Sequence, residues 1–106
     1  MRCLPSSEAD LHLAIAQVLT SAGVRFEREV VLSRKDRIDF LADPDVGIEA
    51  KIDGSRSSLL RQIDRYAALD RIGAIVVVTN RARLLDMPTT LRGKPVHAIS
   101  LLGSGL

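Results

Sequence analysis

The run Ala74-Ile75-Val76-Val77-Val78-Thr79 limits the possible folds more than any other stretch of this chain. It is an almost continuous β-branched series with no polar side to turn toward water. A strand of that kind is buried on both faces, so other elements must cover the sheet above and below it. It is also far too short to cross a bilayer. A strand pattern and then a helical pattern precede it, and a strand, a crossover helix and a buried strand make a parallel βαβ unit.

The crossover helix is predicted over residues 58–71, after the loop Gly54-Ser55-Arg56-Ser57-Ser58. Its buried stripe reads Leu59, Leu60, Ile63, Tyr66, Ala67 and Leu69, and Gly73 marks its end. An earlier helix starts at Ser6-Ser7, where Ser7 and Asp10 form a capping-box-like pair, and stops at Gly23. Leu11, Ala14, Ile15, Val18, Leu19 and Ala22 recur along it at helical spacing. Glu8 precedes Leu11, Ile15 and Leu19 by three, seven and eleven positions and so lies on or at the edge of the buried face. His12 and Gln17 read as surface positions.

Three strands are predicted between the helices. Residues 24–33 carry Phe26, Val30 and Leu32 on one parity, and Ser33-Arg34-Lys35-Asp36 suits a hairpin turn. Residues 37–42 follow, with Ile38 and Phe40 on one side and Asp39 on the other; Asp43-Pro44-Asp45 is the next turn by its chemistry. Residues 46–52 return as the third strand. Downstream, residues 81–93 read as a short helix near Leu84 and Leu85 interrupted by Pro88, residues 94–102 as a last strand, and Gly103-Ser104-Gly105 as a loose tail. The expected fold is a single α/β domain over residues 1–106. Its mixed central sheet is built in the order helix, three-strand meander, crossover helix, parallel strand and final strand, with helices on the flanks. At 106 residues there is room for one modest core, and 3% aromatics leave Leu, Ile, Val and Ala to build it.

In that setting Gly47-Ile48-Glu49-Ala50-Lys51-Ile52-Asp53 is unusual. The pleat period puts Ile48, Ala50 and Ile52 on one face and Glu49 and Lys51 on the other. If the second and third strands pair across the Asp43-Pro44-Asp45 turn, Asp39 joins Glu49 and Lys51 on that face, close enough for both acids to bind one cation. Two carboxylates and the Ala50 carbonyl make a hard oxygen site suited to Mg²⁺. Lys51 would then lie beside the attacking water and stabilise developing negative charge.

Charge is divided along the chain. Residues 1–53 hold seven Lys/Arg and ten Asp/Glu (net −3), and residues 54–106 hold eight and three (net +5). A cation site beside a phosphate-binding surface produces that split, as do ordinary solvated faces. Arg56, Arg61 and Arg65 follow the acidic strand and are the expected phosphate contacts; Arg56 and Arg61 flank a helix start, where backbone N–H groups also favour anions. The single cysteine, Cys3, excludes an internal disulfide and fits a reducing compartment. No apolar stretch precedes the first acids, so the chain reads as cytoplasmic.

Asp39 followed by Glu49-Ala50-Lys51 on consecutive predicted strands resembles the PD-(D/E)xK nuclease superfamily, whose core is restriction-endonuclease-like. The likeness spans residues 6–101 and leans toward small phage, repair or junction-resolving members. It departs from the motif at Ile38, where the proline would stand. Pro44-Asp45 lies in the turn and cannot supply it. The resemblance implies that Asp39 and Glu49 bind Mg²⁺, with Mn²⁺ as a substitute, and that Lys51 assists the nucleophilic water. It matches Glu8 to a helix glutamate that some members place at the metal, and Gln62 to a helix residue that some add to the site. The implied activity is metal-dependent hydrolysis of DNA phosphodiesters, with RNA left open as the alternative. A domain this small rarely surrounds a duplex, so a homodimer, or recognition of an end, flap or branch, is expected.

Bland readings stand beside these. Asp39, Glu49 and Lys51 can form a solvated strand face; Glu8 can simply favour a helix N-terminus. Glu27 and Glu29 suit exposed strand positions, or either could replace Glu8 as the third acid. His97 fits a structural place on the last strand, and Tyr66 fits packing better than base stacking. A nucleic-acid-binding or protein-interaction module of the same fold is the rival functional class.

Overall fold

The computed structural model describes residues 7–101. Cys3 and the Gly103-Ser104-Gly105 tail therefore lie outside the described residues. The elements run α1 (Glu8–Ser21), β1 (Phe26–Val31), β2 (Arg37–Ala42), β3 (Val46–Ala50), α2 (Arg56–Ala67), β4 (Ala74–Val78), a 3-10 turn (Ala82–Leu84), β5 (Thr90–Leu91) and β6 (Lys94–Ile99). They form an α/β domain around one mixed sheet in the order β1-β2-β3-β4-β6-β5. β1, β2 and β3 are mutually antiparallel, β3 pairs parallel with β4, and β4 pairs parallel with β6. Among the described residues no helix is long and apolar enough to cross a membrane.

Local chemistry sets the helix ends. Ser7 caps α1 by accepting the Asp10 N–H at 3.1 Å. At the other end Gly23 has φ +73, its N–H donates to Thr20 O, and the Val24 N–H reaches back to Leu19 O. That paired closure needs a left-handed residue just past the cap, which glycine adopts without steric cost. α2 starts two residues earlier than predicted because Ser55, not a later serine, is the cap, accepting the Ser58 N–H at 3.1 Å. It also ends four residues earlier. Ala68 N–H bonds to both Asp64 O and Arg65 O, and bonds from Leu69 to Tyr66 and from Ile72 to Leu69 tighten the chain into turns that bury Ile72.

The sheet has a core on each side. Leu59, Ile63, Tyr66 and Ala67 of α2 pack with Ile38, Ile72, Ile75, Val77, Leu84 and Val96. Leu11 and Ile15 of α1 pack with Phe40, Ala42, Ile48, Ala50, Ile52 and Val78. β4 thus supplies Ile75 and Val77 to one core and Val78 to the other, the two-sided burial expected of its sequence. α1 contributes a narrower stripe than its spacing predicts: it packs chiefly on β3, and Val18 is left 56% exposed.

The parity expected for β1 and β2 breaks in the middle. Ile38 belongs to the α2-side core and Phe40 to the α1-side core, although two residues apart on a regular strand share a face. Val30 and Phe26 divide in the same way. β1 pairs with β2 at Arg28↔Phe40 and Val30↔Ile38, so Glu29 and Asp39 lie at the intervening position, and Glu29 has φ +54. A left-handed residue interrupts the regular alternation of β1, and the buried side chains of β2 change sides at the same level.

Two connections differ from the prediction. The helix expected near Leu84 and Leu85 is only the 3-10 turn, and a two-residue strand, β5, was not foreseen. β5 joins β6 through Arg92 and Gly93, whose φ values of 51 and 79 suit a two-residue hairpin. Arg92 is held there by two bonds to the Asp64 carboxylate, at 3.0 and 3.1 Å.

Gly47 is where the α2-side core leaves no room. A Cβ there would lie 2.5 Å from Ile38 Cδ1 and 3.1 Å from Ile72 Cδ1. Gly47→Ala is therefore expected to lower stability by about 1–3 kcal/mol, the usual cost of overpacking. Urea denaturation measures this, and an unchanged midpoint would show that the two isoleucines repack freely.

Candidate active site

β2 and β3 pair as Phe40↔Ile48, Leu41↔Gly47 and Ala42↔Val46. The same register carried further brings Asp39 opposite Glu49, and there side chains replace the backbone ladder. The Ala50 N–H donates to Asp39 Oδ2 at 2.8 Å, and the Asp39 N–H donates to Glu49 Oε1 at 3.4 Å. Each carboxylate is thus tied to the other's strand. β3 ends at Ala50, and the Lys51 N–H donates to Val78 O at 3.0 Å. Glu49 and Lys51 therefore lie at the carboxyl ends of the parallel strands β3 and β4, the side on which open α/β sheets bind ligands.

Glu49 is only 4% exposed, so it is not part of a solvated strand face. Tyr66 of α2 explains how a carboxylate is tolerated at that depth: its hydroxyl lies 3.1 Å from Glu49 Oε1, and also 3.2 Å from Arg37 O. Burial, followed by the nearby Asp39 charge, pushes the Glu49 carboxyl up to about 8, against the lowering effects of Tyr66, the Asp39 N–H and Lys51. Asp39 is also raised, first by burial, although the Ala50 N–H and His12 hold it down. Burial and then the Glu49 charge raise the Tyr66 phenol. Tyr66 thus packs, as its spacing indicates, and also orients a site residue.

The two acids do not share one open face. Asp39 Oδ2 is 3.3 Å from His12 Nε2 on α1, whereas Glu49 turns to Tyr66 on α2. Asp39 sits where the buried side chains of β2 change sides, between Ile38 in the α2-side core and Phe40 in the α1-side core. Lys51 is half-buried, and among the described residues its ammonium has no hydrogen bond or ion pair.

Glu8 lies at the first turn of α1 and accepts the Ile52 N–H at 3.2 Å, securing the chain just beyond β3. Gln62 is half-buried one turn before Tyr66 on α2, with no hydrogen bond among the described residues. His12, expected at the surface, is instead half-buried between Asp39 and Glu29, its Nδ1 3.8 Å from Glu29 Oε2. Its ring packs on Phe40 with centroids 5.4 Å apart. The signal available in the sequence was its place four residues after Glu8, which puts both on one side of the helix. Glu29 is near Asp39, while Glu27 lines a hollow with Arg25, Asp43, Pro44 and Arg71. His97 is exposed on β6.

The arginines have unequal freedom. Arg56 bonds to the carbonyl and carboxylate of Asp86. Arg65 reaches the buried Asp36 carboxylate through Nε and a terminal nitrogen, both at 3.0 Å. Arg83 donates to Ile52 O and Gly54 O and so steadies the loop after Lys51. Arg61 is exposed and, among the described residues, makes no hydrogen bond or ion pair. Comparison of the chain with protein-family models, curated proteins and solved structures finds no match.

Proposed function

We propose that this domain is a restriction-endonuclease-like hydrolase of the cytoplasm that cleaves nucleic-acid phosphodiesters, DNA foremost and RNA as a further substrate. The carrying observation is the interlocked pair of acids, half-buried Asp39 and buried Glu49, with a Lys51 ammonium that acts on Glu49 and makes no hydrogen bond or ion pair among the described residues. Two neighbouring carboxylates that both resist ionisation lack positive charge, and a divalent cation is the species that supplies it. The donors suit it by their chemistry: Asp39, Glu49 and the Ala50 carbonyl offer hard oxygens that would hold Mg²⁺, or Mn²⁺ in its place. To do so the carboxylates must turn from His12 and Tyr66 toward each other, with Glu8 as a further acid at the edge. When bound, the cation supplies Lewis-acid activation of the scissile phosphate.

The chain's own residues do the rest. The Ala50 N–H and His12 orient Asp39, and Tyr66 orients Glu49. Lys51 places a compact ammonium where charge develops on the attacked phosphate. Arg61 is free to take a backbone phosphate, and Gln62, one turn before Tyr66 on α2, is the proposed further polar contact. Arg56 and Arg65 are tied to Asp86 and Asp36 and have only their remaining N–H groups to offer. A domain this small encloses little of a duplex, so the working unit is proposed as a homodimer acting at an end, a flap or a branch.

Asp39→Ala and Glu49→Ala are each expected to fold and to reduce Mg²⁺-dependent cleavage of duplex, flap and branched DNA to background. Parental cleavage by either variant would remove the site assignment. Tight DNA binding by the parent with no cleavage in Mg²⁺ or Mn²⁺ would instead favour a binding module.

A further inference from the structure

His12 on α1, Glu29 on β1 and Asp39 on β2 come from three separate elements, yet one ligand atom of each lies within 4.8 Å of the other two. Glu49 is not among them. The Phe40 ring supports the imidazole from one side, so its position is set by packing. Arg37 engages Glu29 through Oε1 at 3.5 Å, whereas Oε2 is the oxygen nearest His12. The cation already present in this neighbourhood therefore leaves one glutamate oxygen available.

Donor type and spacing both discriminate among metals. Around a tetrahedral ion with bonds of about 2.0–2.2 Å, neighbouring ligand atoms are separated by roughly 3.3–3.6 Å. Around octahedral Mg²⁺, with bonds of about 2.0–2.1 Å, the separation is roughly 2.9 Å. His12 Nε2 and Asp39 Oδ2 are 3.3 Å apart, which meets the first value. Glu29 Oε2, by contrast, faces the other ring nitrogen, Nδ1, at 3.8 Å, so this exposed side chain must swing toward Nε2 to complete the set. One imidazole nitrogen with two carboxylate oxygens is a borderline set that suits Zn²⁺ or Co²⁺, whereas Mg²⁺ takes oxygen ligands.

We propose that His12, Glu29 and Asp39 form a second cation site, selective for a divalent transition metal, which shares Asp39 with the Asp39–Glu49 pair. Three protein ligands leave the fourth tetrahedral position for water, the open arrangement of a site that can exchange ligands. The site does not depend on the hydrolase reading, because it needs no substrate and no Mg²⁺.

Co²⁺ alone is the probe, titrated into the full chain and followed by its visible absorption, which reports four-coordinate geometry. The parent should bind with intense tetrahedral bands. His12→Gln and Glu29→Gln should each weaken binding on the order of a hundredfold or more, since even partners behind the ligands cost 10–100-fold in affinity. Glu27→Gln, at an exposed acid outside the cluster, should keep both the bands and the affinity within a few-fold. Glu29 is exposed, so its replacement tests the ligand set without disturbing the core. Weak octahedral bands, no binding, binding indifferent to His12 and Glu29, or loss in Glu27→Gln would each overturn the site. Loss of nuclease activity alone would not, because the cobalt spectrum is read without nucleic acid.

Discussion

Lys51→Met is expected to fold and to bind divalent cation and DNA, yet to lose single-turnover cleavage on the order of a hundredfold or more, the effect of removing a transition-state electrostatic group. A hundredfold corresponds to about 2.7 kcal/mol of barrier. The motive is that Lys51 holds an ammonium at the carboxyl end of β3 with no hydrogen bond or ion pair among the described residues, its one electrostatic effect there being to lower the Glu49 carboxyl. Lys51→Arg separates charge from shape. It keeps the positive charge but replaces a compact ammonium with a planar fork of different reach and hydration, so it too should be slow. Saturating Mg²⁺ and enzyme in excess over DNA keep binding from masking the chemical step. Near-parental cleavage by Lys51→Met would make Lys51 a surface charge and remove the most specific residue of the proposed mechanism.

In the absence of divalent cations, stability is expected to fall as pH rises from about 4.5 toward 8. Glu49 has an ordinary value of 4.5 in the unfolded chain and about 8 in the fold. The folded state therefore holds a proton that the unfolded state has released across that interval, and stability is lost with increasing pH. The limiting slope is about 1.4 kcal/mol per pH unit, so the total is on the order of a few kcal/mol. Asp39, also raised, adds in the same direction. Glu49→Gln should remove most of the slope and be more stable than the parent at pH 8. Both bonds to Glu49 end on Oε1, so a glutamine carbonyl oxygen can keep the Tyr66 and Asp39 donors. Urea titrations at pH 5.5 and 8.5 in chelator give the comparison. Parallel curves for parent and variant would mean that Glu49 ionises freely in the folded chain. Mg²⁺ added at pH 8.5 should return part of the parent's loss by favouring the ionised pair.

Apart from β5 and the 3-10 turn before it, the elements and their order were legible because the signals for them are local. The buried run of β4, the serine caps of both helices, Gly23 and the two hairpin turns each act within a few residues. Period-2 and period-3.6 patterns then assign the layers, and the two-sided burial of β4 follows directly. Glu49 and Lys51 also stood out locally, as charges where a buried strand calls for apolar groups. Only tertiary structure decided how those charges are used. Strand parity assumes a regular pleat, but β1 carries a left-handed Glu29 that no motif marks, and on β2 the buried side chains change sides at Asp39, which faces His12 of α1. His12 joins the site, Tyr66 supports Glu49, and Arg56 and Arg65 are taken by Asp86 and Asp36, each through partners between 17 and 30 residues away. The chain's own composition and spacing determined that an α/β sheet would hold a carboxylate pair near a lysine. Which side chains face that pair was settled by packing across strands and helices, because contacts so distant in sequence leave no periodic trace in it.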